Sequence, residues 1–293
     1  MADHPSLSLT EESLPIEMRK DPMAKRLARF PWWLLTMVLI ALWTAYIIYS
    51  RGNYNEAFRR IIQGLGTTIV TSLAAYGIAL IFGLLAGLGR ISRNVALNNL
   101  ATLYVELIRG IPMLVLIFFI ALVGVPTVVN GINGLGDWLN ELGLTAIGDV
   151  LASVTNQALS MSVRATIALA VTYGAFLAEI FRAGIQSIGR GQTEAARSLG
   201  MSTGQAMRYV ILPQAIRNVL PALGNDFVAM VKDSSLVSLL AVRDITQVAR
   251  LHAGSTFRYR ETYVTLSVLY LTMTVTLSLL VQLLERRLRR HAR

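Results

Sequence analysis

The chain has 293 residues, 54% of them hydrophobic and only 15% charged, with a mean hydropathy of +0.54. A soluble domain carries about a quarter charged residues, so this balance excludes an ordinary soluble protein and points to a bilayer. The formal charge of +10 does not form a nucleic-acid face, because Lys and Arg stand at the ends of apolar runs, and the absence of cysteine excludes a disulfide framework, a thiolate nucleophile and a cysteine metal site.

Residues 1–30 are polar, carry Pro5, Pro15 and Pro22, and include the basic cluster Arg19, Lys20, Lys25, Arg26 and Arg29. This predicts a cytoplasmic tail, disordered or lying on the membrane surface. Residues 31–50 follow as a first transmembrane anchor, retained rather than cleaved, since the run from Trp32 to Tyr49 is long enough to cross a bilayer and no cleavable leader pattern precedes it. From Arg60 to Arg90 no charge intervenes, and Gly64, Gly66, Gly77, Gly83 and Gly87 offer the small surfaces that close helix packing in lipid requires. The next span covers about 100–125. Glu106 and Arg109 near its entry have the i,i+3 spacing of an ion pair, and Pro112 marks either a kink or the true helix start.

Residues 126–159 contain five glycines, several Asn, Asp137, Glu141 and Asp149, but no Lys or Arg. That composition predicts an extracytoplasmic insertion, a loop holding one amphipathic helix around Trp138 to Leu144. A span from Met161 to Ile188 carries Glu179 and Arg182 late in its course. The loop at 189–212 then reads as two short helices joined at Gly200, a residue tolerant of the left-handed position that closes the first. Ser202 and Gln205 have capping-box spacing at the start of the second. The span at about 213–242 is broken by Pro221 and Gly224, and its Arg217, Asp226, Lys232 and Asp233 require it to face protein or water. Finally Thr262 to Leu284 is uncharged and ends in Arg286, Arg287, Arg289, Arg290, His291 and Arg293.

Six spans put both termini on one side. Basic residues assign the two tails, the Arg90–Arg93 turn and the 189–212 loop to the cytoplasm; Arg51, Arg59, Arg60, Arg243, Arg250, Arg258 and Arg260 then lie outside, and the cation-free 126–159 segment decides the orientation. The expected fold class is all-α, a polytopic membrane protein with about six transmembrane helices.

Glu194-Ala195-Ala196, Gly200, Leu212-Pro213-Gln214-Ala215 and Lys232-Asp233-Ser234-Ser235-Leu236, with Arg109-Gly110-Ile111-Pro112 and Ala178-Glu179-Ile180-Phe181-Arg182 upstream, resemble the motif series of importer-type ABC permeases, in the subfamily that moves polar amino acids. The resemblance covers residues 61–288 as a permease domain. It implies that 189–212 is a coupling loop docking on a separate ATPase, with Glu194, Ala195, Ala196, Gly200, Met201, Leu212 and Pro213 at the contact. It also implies an extracytoplasmic solute-binding protein, a second permease copy or related permease, and a bacterial inner (plasma) membrane location. Family members often have a shorter connection where this chain has 126–159.

No phosphate-binding Gly-x-x-x-x-Gly-Lys-Ser/Thr occurs, so ATP is expected to be used by the partner and no cofactor by this chain. The dispersed His4, His252 and His291 give no metal or catalytic constellation. Tyr173, Glu179, Asn225, Asp226, Lys232, Asp233, Ser234 and Ser235 are the candidate translocation pathway, because a zwitterion needs acceptors for its ammonium and donors for its carboxylate. Pairing of Glu179 with Arg182, or Lys232 with Asp233, is the structural alternative. The rival function is an ion-coupled secondary transporter of a small polar solute, working through Glu179 or Asp226.

Overall fold

The computed structural model describes residues 32–290. The predicted N-terminal tail lies outside the described residues. Contacts divide the chain into two units, 1–46 and 47–293. Among the described residues there is no strand. The helices are α1 (Trp32–Ser50), α2 (Gly52–Ile61), α3 (Leu65–Arg90), α4 (Val95–Gly110), α5 (Met113–Phe119), α6 (Val125–Glu141), α7 (Thr145–Ala152), α8 (Met161–Gln186), α9 (Arg190–Ser198), α10 (Thr203–Ala206), α11 (Leu212–Asp233), α12 (Ile245–Thr256) and α13 (Tyr259–Arg290). Four described segments are long and apolar enough to cross a membrane: Gly52–Arg90, Met113–Glu141, Met161–Gln186 and Tyr259–Arg287. A shorter apolar stretch covers Leu35–Ser50, and α11, at about 33 Å, has the length of a span with a more polar sequence.

The core is a parallel pair, α3 and α8. Lipid gives helices no hydrophobic reason to associate, so contact depends on close van der Waals packing, which small residues allow. A Cβ at Gly83 would come within 2.5 Å of the Leu177 Cβ, and one at Gly87 within 2.9 Å of the Phe181 Cβ. These contacts advance in the same sense along both helices. On α8 the buried stripe Ala165, Ala168, Leu169, Thr172, Tyr173, Leu177 and Ala178 continues the seam, and Ser160 caps the helix by accepting from the Val163 amide.

At one end of this pair, α2, α12 and the start of α13 form a second small core of Ala57, Ile61, Ile245, Ala249 and Leu266. Asp244 begins α12 by accepting from the Gln247 amide at 2.8 Å, and Thr68 of α3 accepts from the Ile245 amide at 3.1 Å. Burial pushes the Asp244 carboxyl up to about 6, with the amide hydrogen bonds pulling the other way.

Two expectations change, and one open choice is resolved. Residues 126–159 are not a loop: α6 continues from α5 through a π turn at Ile120–Gly124, and α7 folds back against it. Gly136 and Gly148 are packing surfaces, since a Cβ at Gly136 would sit 2.8 Å from the Gly148 carbonyl; Gly143, at φ +80°, supplies the turn. Trp138 therefore belongs to the last turn of α6, and Leu142 to Leu144 form the bend rather than a helix. Of the two readings of Pro112, the helix start holds: α4 and α5 are parted at Ile111, whose extended backbone is what a following proline demands. In the last third, α11 runs unbroken through Pro221 and Gly224, stops at Asp233 and passes into a 3-10 turn, Ser234–Leu240. Gly224 accommodates Val281 of α13 there.

Candidate functional site

Two features stand out at different depths. The first is the loop beyond the end of α8. Leu199 ends α9, Gly200 takes φ +82°, its amide donates to the Arg197 carbonyl at 2.9 Å, and the Met201 amide reaches back to Ala196 at 3.2 Å. This pair of bonds is a Schellman closure, which satisfies carbonyls otherwise left open at a helix end. One residue later Ser202 opens α10 with both bonds of a capping box: Ser202 Oγ accepts from the Gln205 amide at 3.3 Å, and Gln205 Oε1 from the Ser202 amide at 2.9 Å. The corner is thus held by backbone bonds on both sides of Gly200.

Glu194 and Ala195 are exposed, Ala196 is buried, and Met201 is partly buried. Leu199 is 80% exposed and Tyr209 63%, large apolar surfaces on an otherwise polar loop. Leu212 and Pro213 form the junction with α11. Proline has no amide to donate and its ring crowds the carbonyl four residues back, and the chain widens there into a π turn, Met207–Ile211, before α11 begins.

The second feature lies between α3, α8 and α11. The Tyr173 hydroxyl donates to Asp233 Oδ2 at 2.7 Å. Tyr76 of α3 donates to the Leu223 carbonyl at 2.5 Å and stacks on Phe227 with ring centroids 4.9 Å apart. Asp226 is within electrostatic range of Tyr76, Tyr173 and Asp233, and its Oδ2 is buried without a hydrogen-bond partner. Two carboxylates with no Lys or Arg paired to either among the described residues form an acceptor-rich site suited to a cationic group.

Of the eight residues expected to line a pathway, the structure gathers Tyr173, Asp226 and Asp233. Lys232 is exposed and makes no ion pair among the described residues; adjacent helix positions point about 100° apart, so the Lys232–Asp233 pair does not form. Asn225 is exposed, Ser235 is partly buried, and Ser234 turns its hydroxyl onto the Val231 carbonyl at 2.8 Å. Tyr76 was not among the expected residues. Its signal is a single phenolic group inside a long uncharged run.

Glu179 stands apart, nearly two turns along α8 from Tyr173. It joins the Arg182 Nη2 at 2.7 Å, the Arg90 guanidinium, and the Arg109 Nη1 at 3.5 Å. Arg90 also meets Glu106 at 3.2 Å. Glu106 therefore pairs with Arg90 rather than with Arg109, because α4 crosses the end of α3 and brings Ala101 against Gly89. Glu179 is the hub of three helices.

An all-helical polytopic membrane protein with a doubly capped loop at one end and a buried acceptor cluster in its interior has the architecture of a solute permease. Residues 79–290 match the family described as the binding-protein-dependent transport system inner membrane component. A probable amino-acid permease protein of Bacillus subtilis (strain 168) is 35% identical over 231 residues, 79% of this chain and 92% of the relative. The glutamine transport system permease protein of Escherichia coli (strain K12) is 31% identical over 78% of this chain and 93% of its own length. Among solved structures, an amino acid ABC transporter with histidines superposes with a TM-score of 0.64 at 38% identity, covering 82% of this chain and 98% of that one. A methionine ABC transporter, at 18% identity and a TM-score of 0.58, shares the fold. The chain belongs to the binding-protein-dependent transport system inner membrane component family, the permeases of ABC transport systems.

Proposed function

We propose that this chain is the permease subunit of an importer for polar amino acids. A separate ATPase docks on the α9–α10 loop, a solute-binding protein delivers cargo at the opposite end, and a second permease completes the pathway. Both termini face the cytoplasm. The relatives' amino-acid and glutamine transport names support the cargo class. The observation that carries the reading of the site is the unpartnered Asp226 carboxylate beside the Tyr173–Asp233 pair. Buried acceptors without an internal cation are costly in a bilayer, and an amino-acid ammonium supplies the missing partner. Glu194, Ala195, Leu199 and Met201 form the ATPase contact, with Gly200 holding its corner.

Reconstitution tests the reading. The permease purified with its ATPase should hydrolyse ATP faster when a loaded solute-binding protein is added and should accumulate a polar amino acid in vesicles. Uptake driven by an ion gradient without ATP would overturn it.

A further inference from the structure

The end of the molecule opposite the α9–α10 loop is electrically divided. Residues 51–61 and 243–261 hold seven arginines and three carboxylates. They belong to one structural shoulder: α2, α12 and the start of α13 share a core, the Gly64 backbone lies directly against Asp244, and Arg258 bridges to Glu56 at 2.7 Å. Within it, Asp244 is buried as a helix cap and Arg250 donates to the Ser238 carbonyl. Arg51, Arg59, Arg60, Arg243 and Arg260 remain exposed, with no side-chain hydrogen bond or ion pair among the described residues. Several guanidinium groups on one shoulder repel one another, and they stand on the side where membrane proteins carry fewest cations.

The α6–α7 hairpin is the opposite pole. Asp137, Glu141 and Asp149 are exposed on it, and residues 126–159 contain no Lys or Arg. Asn156 donates to Asn130 at 2.9 Å and its carbonyl accepts from Arg164, in the first turn of α8, at 2.6 Å, which sets Asn130 level with the start of that helix. The eleven residues beyond it, 131–141, add about 16 Å of helix. Asp137 and Glu141, four apart, share one face, while Leu135, Trp138 and Leu142 share another. Asn140 holds Asp149 at 3.1 Å.

We infer that these two poles form a docking surface for a protein of complementary polarity, with an acidic region over the arginine shoulder and a basic region over the hairpin. The inference rests on the importer reading and takes the solute-binding protein as that partner. A lipid surface fits less well, because anionic headgroups that attract the arginines repel the hairpin carboxylates. Opposite poles also select orientation, since a partner turned by half a circle meets like charge at both contacts.

The test uses the complete transporter in vesicles and the solute-binding protein that stimulates its ATP hydrolysis. Three variants are compared with wild type: Arg59→Glu with Arg60→Glu, Arg59→Gln with Arg60→Gln, and Asp137→Lys with Glu141→Lys. Each charge reversal should raise the half-saturating concentration of binding protein about tenfold or more at low salt, leave the maximal rate unchanged, and flatten the salt dependence; the neutral variant should fall between. Unchanged half-saturation in both reversals, with subunits assembled, overturns the docking surface while leaving the importer reading intact. A shift that follows the anionic lipid content of the vesicles and not the binding protein assigns the arginines to lipid and also overturns it. A wild-type transporter that no binding protein stimulates removes the importer reading and this inference together.

Discussion

The Gly200 corner offers the sharpest test of coupling, because its cost can be worked from geometry alone. A Cβ built on Gly200 meets nothing within 4 Å, so substitution there introduces no clash. What remains is φ at +82°, which costs an ordinary L-residue about 1–2 kcal/mol and a β-branched one more. Asn visits this region most readily after Gly. Gly200→Val, Gly200→Ala and Gly200→Asn should therefore damage the loop in that order. At about 1–2 kcal/mol the properly turned loop falls five- to thirty-fold relative to alternatives. Insertion should be normal in all three, since the span sequences are untouched. Substrate-stimulated ATP hydrolysis and uptake in vesicles should be nearly lost in Val and close to normal in Asn. Wild-type stimulation in Gly200→Val would refute the role of this corner; equal loss in Asn and Val would show that the glycine surface, and not its φ, matters.

Asp226→Asn keeps the shape of the acceptor cluster and removes its unpartnered charge, so the half-saturating amino-acid concentration should rise about tenfold, near 1.4 kcal/mol, without loss of ATPase association; unaltered uptake kinetics would remove the cluster from the pathway. Glu179→Gln should impair assembly of α3, α4 and α8, and adding Arg182→Gln should not restore it, because Arg109 loses its ion-pair partner and Arg90 keeps only Glu106; full recovery of thermal stability and uptake in the double variant would reduce the hub to one pair. Asp244 titrates near 6 in the folded chain, above its ordinary carboxylate value, so its stabilising contribution is present below about pH 4 and lost as pH rises through 6. Asp244→Asn retains the helix cap and should flatten that pH dependence by up to about 3 kcal/mol, measured as thermal stability in detergent between pH 4 and 8; an unchanged profile would place the titration elsewhere.

The α9–α10 loop was legible because its determinants are local: a glycine one residue past a helix end, then Ser and Gln at capping-box spacing. Each acts within a turn of itself. The α6–α7 hairpin was not, because a glycine that breaks a helix and a glycine that lets two helices touch are the same letter; Gly136 and Gly148 declare themselves only when α7 folds back. The same limit hid the Glu106 partner. Sequence spacing offered Arg109 three residues away, whereas the crossing of α4 over α3 delivered Arg90 from another helix. Tyr173 and Asp233 are sixty residues apart, and only the packing of α8 on α11 makes one the donor to the other.

That packing also connects the two candidate sites mechanically. From Thr203 the chain continues as helix through the π turn and α11 to Asp233, thirty-one residues and about 46 Å without a coil break. Asp226 and Asp233 lie on the far part of this rod, and the doubly capped corner at Gly200 to Ser202 holds its near end. A displacement of the corner therefore cannot be absorbed by loose chain, and the rod is softest at the π turn, Met207–Ile211, and at Pro221, where proline removes a regular backbone bond. Tyr173 sits on α8, whose partner α3 is locked against it at Gly83 and Gly87. Movement of α11 relative to that pair must stretch the 2.7 Å bond between Tyr173 and Asp233 before it disturbs the α3–α8 seam. Tyr173→Phe removes this tether while keeping the ring. It should raise ATP hydrolysis in the absence of substrate and lower its further stimulation by substrate, whereas a basal rate equal to wild type would show that α11 is held by packing alone.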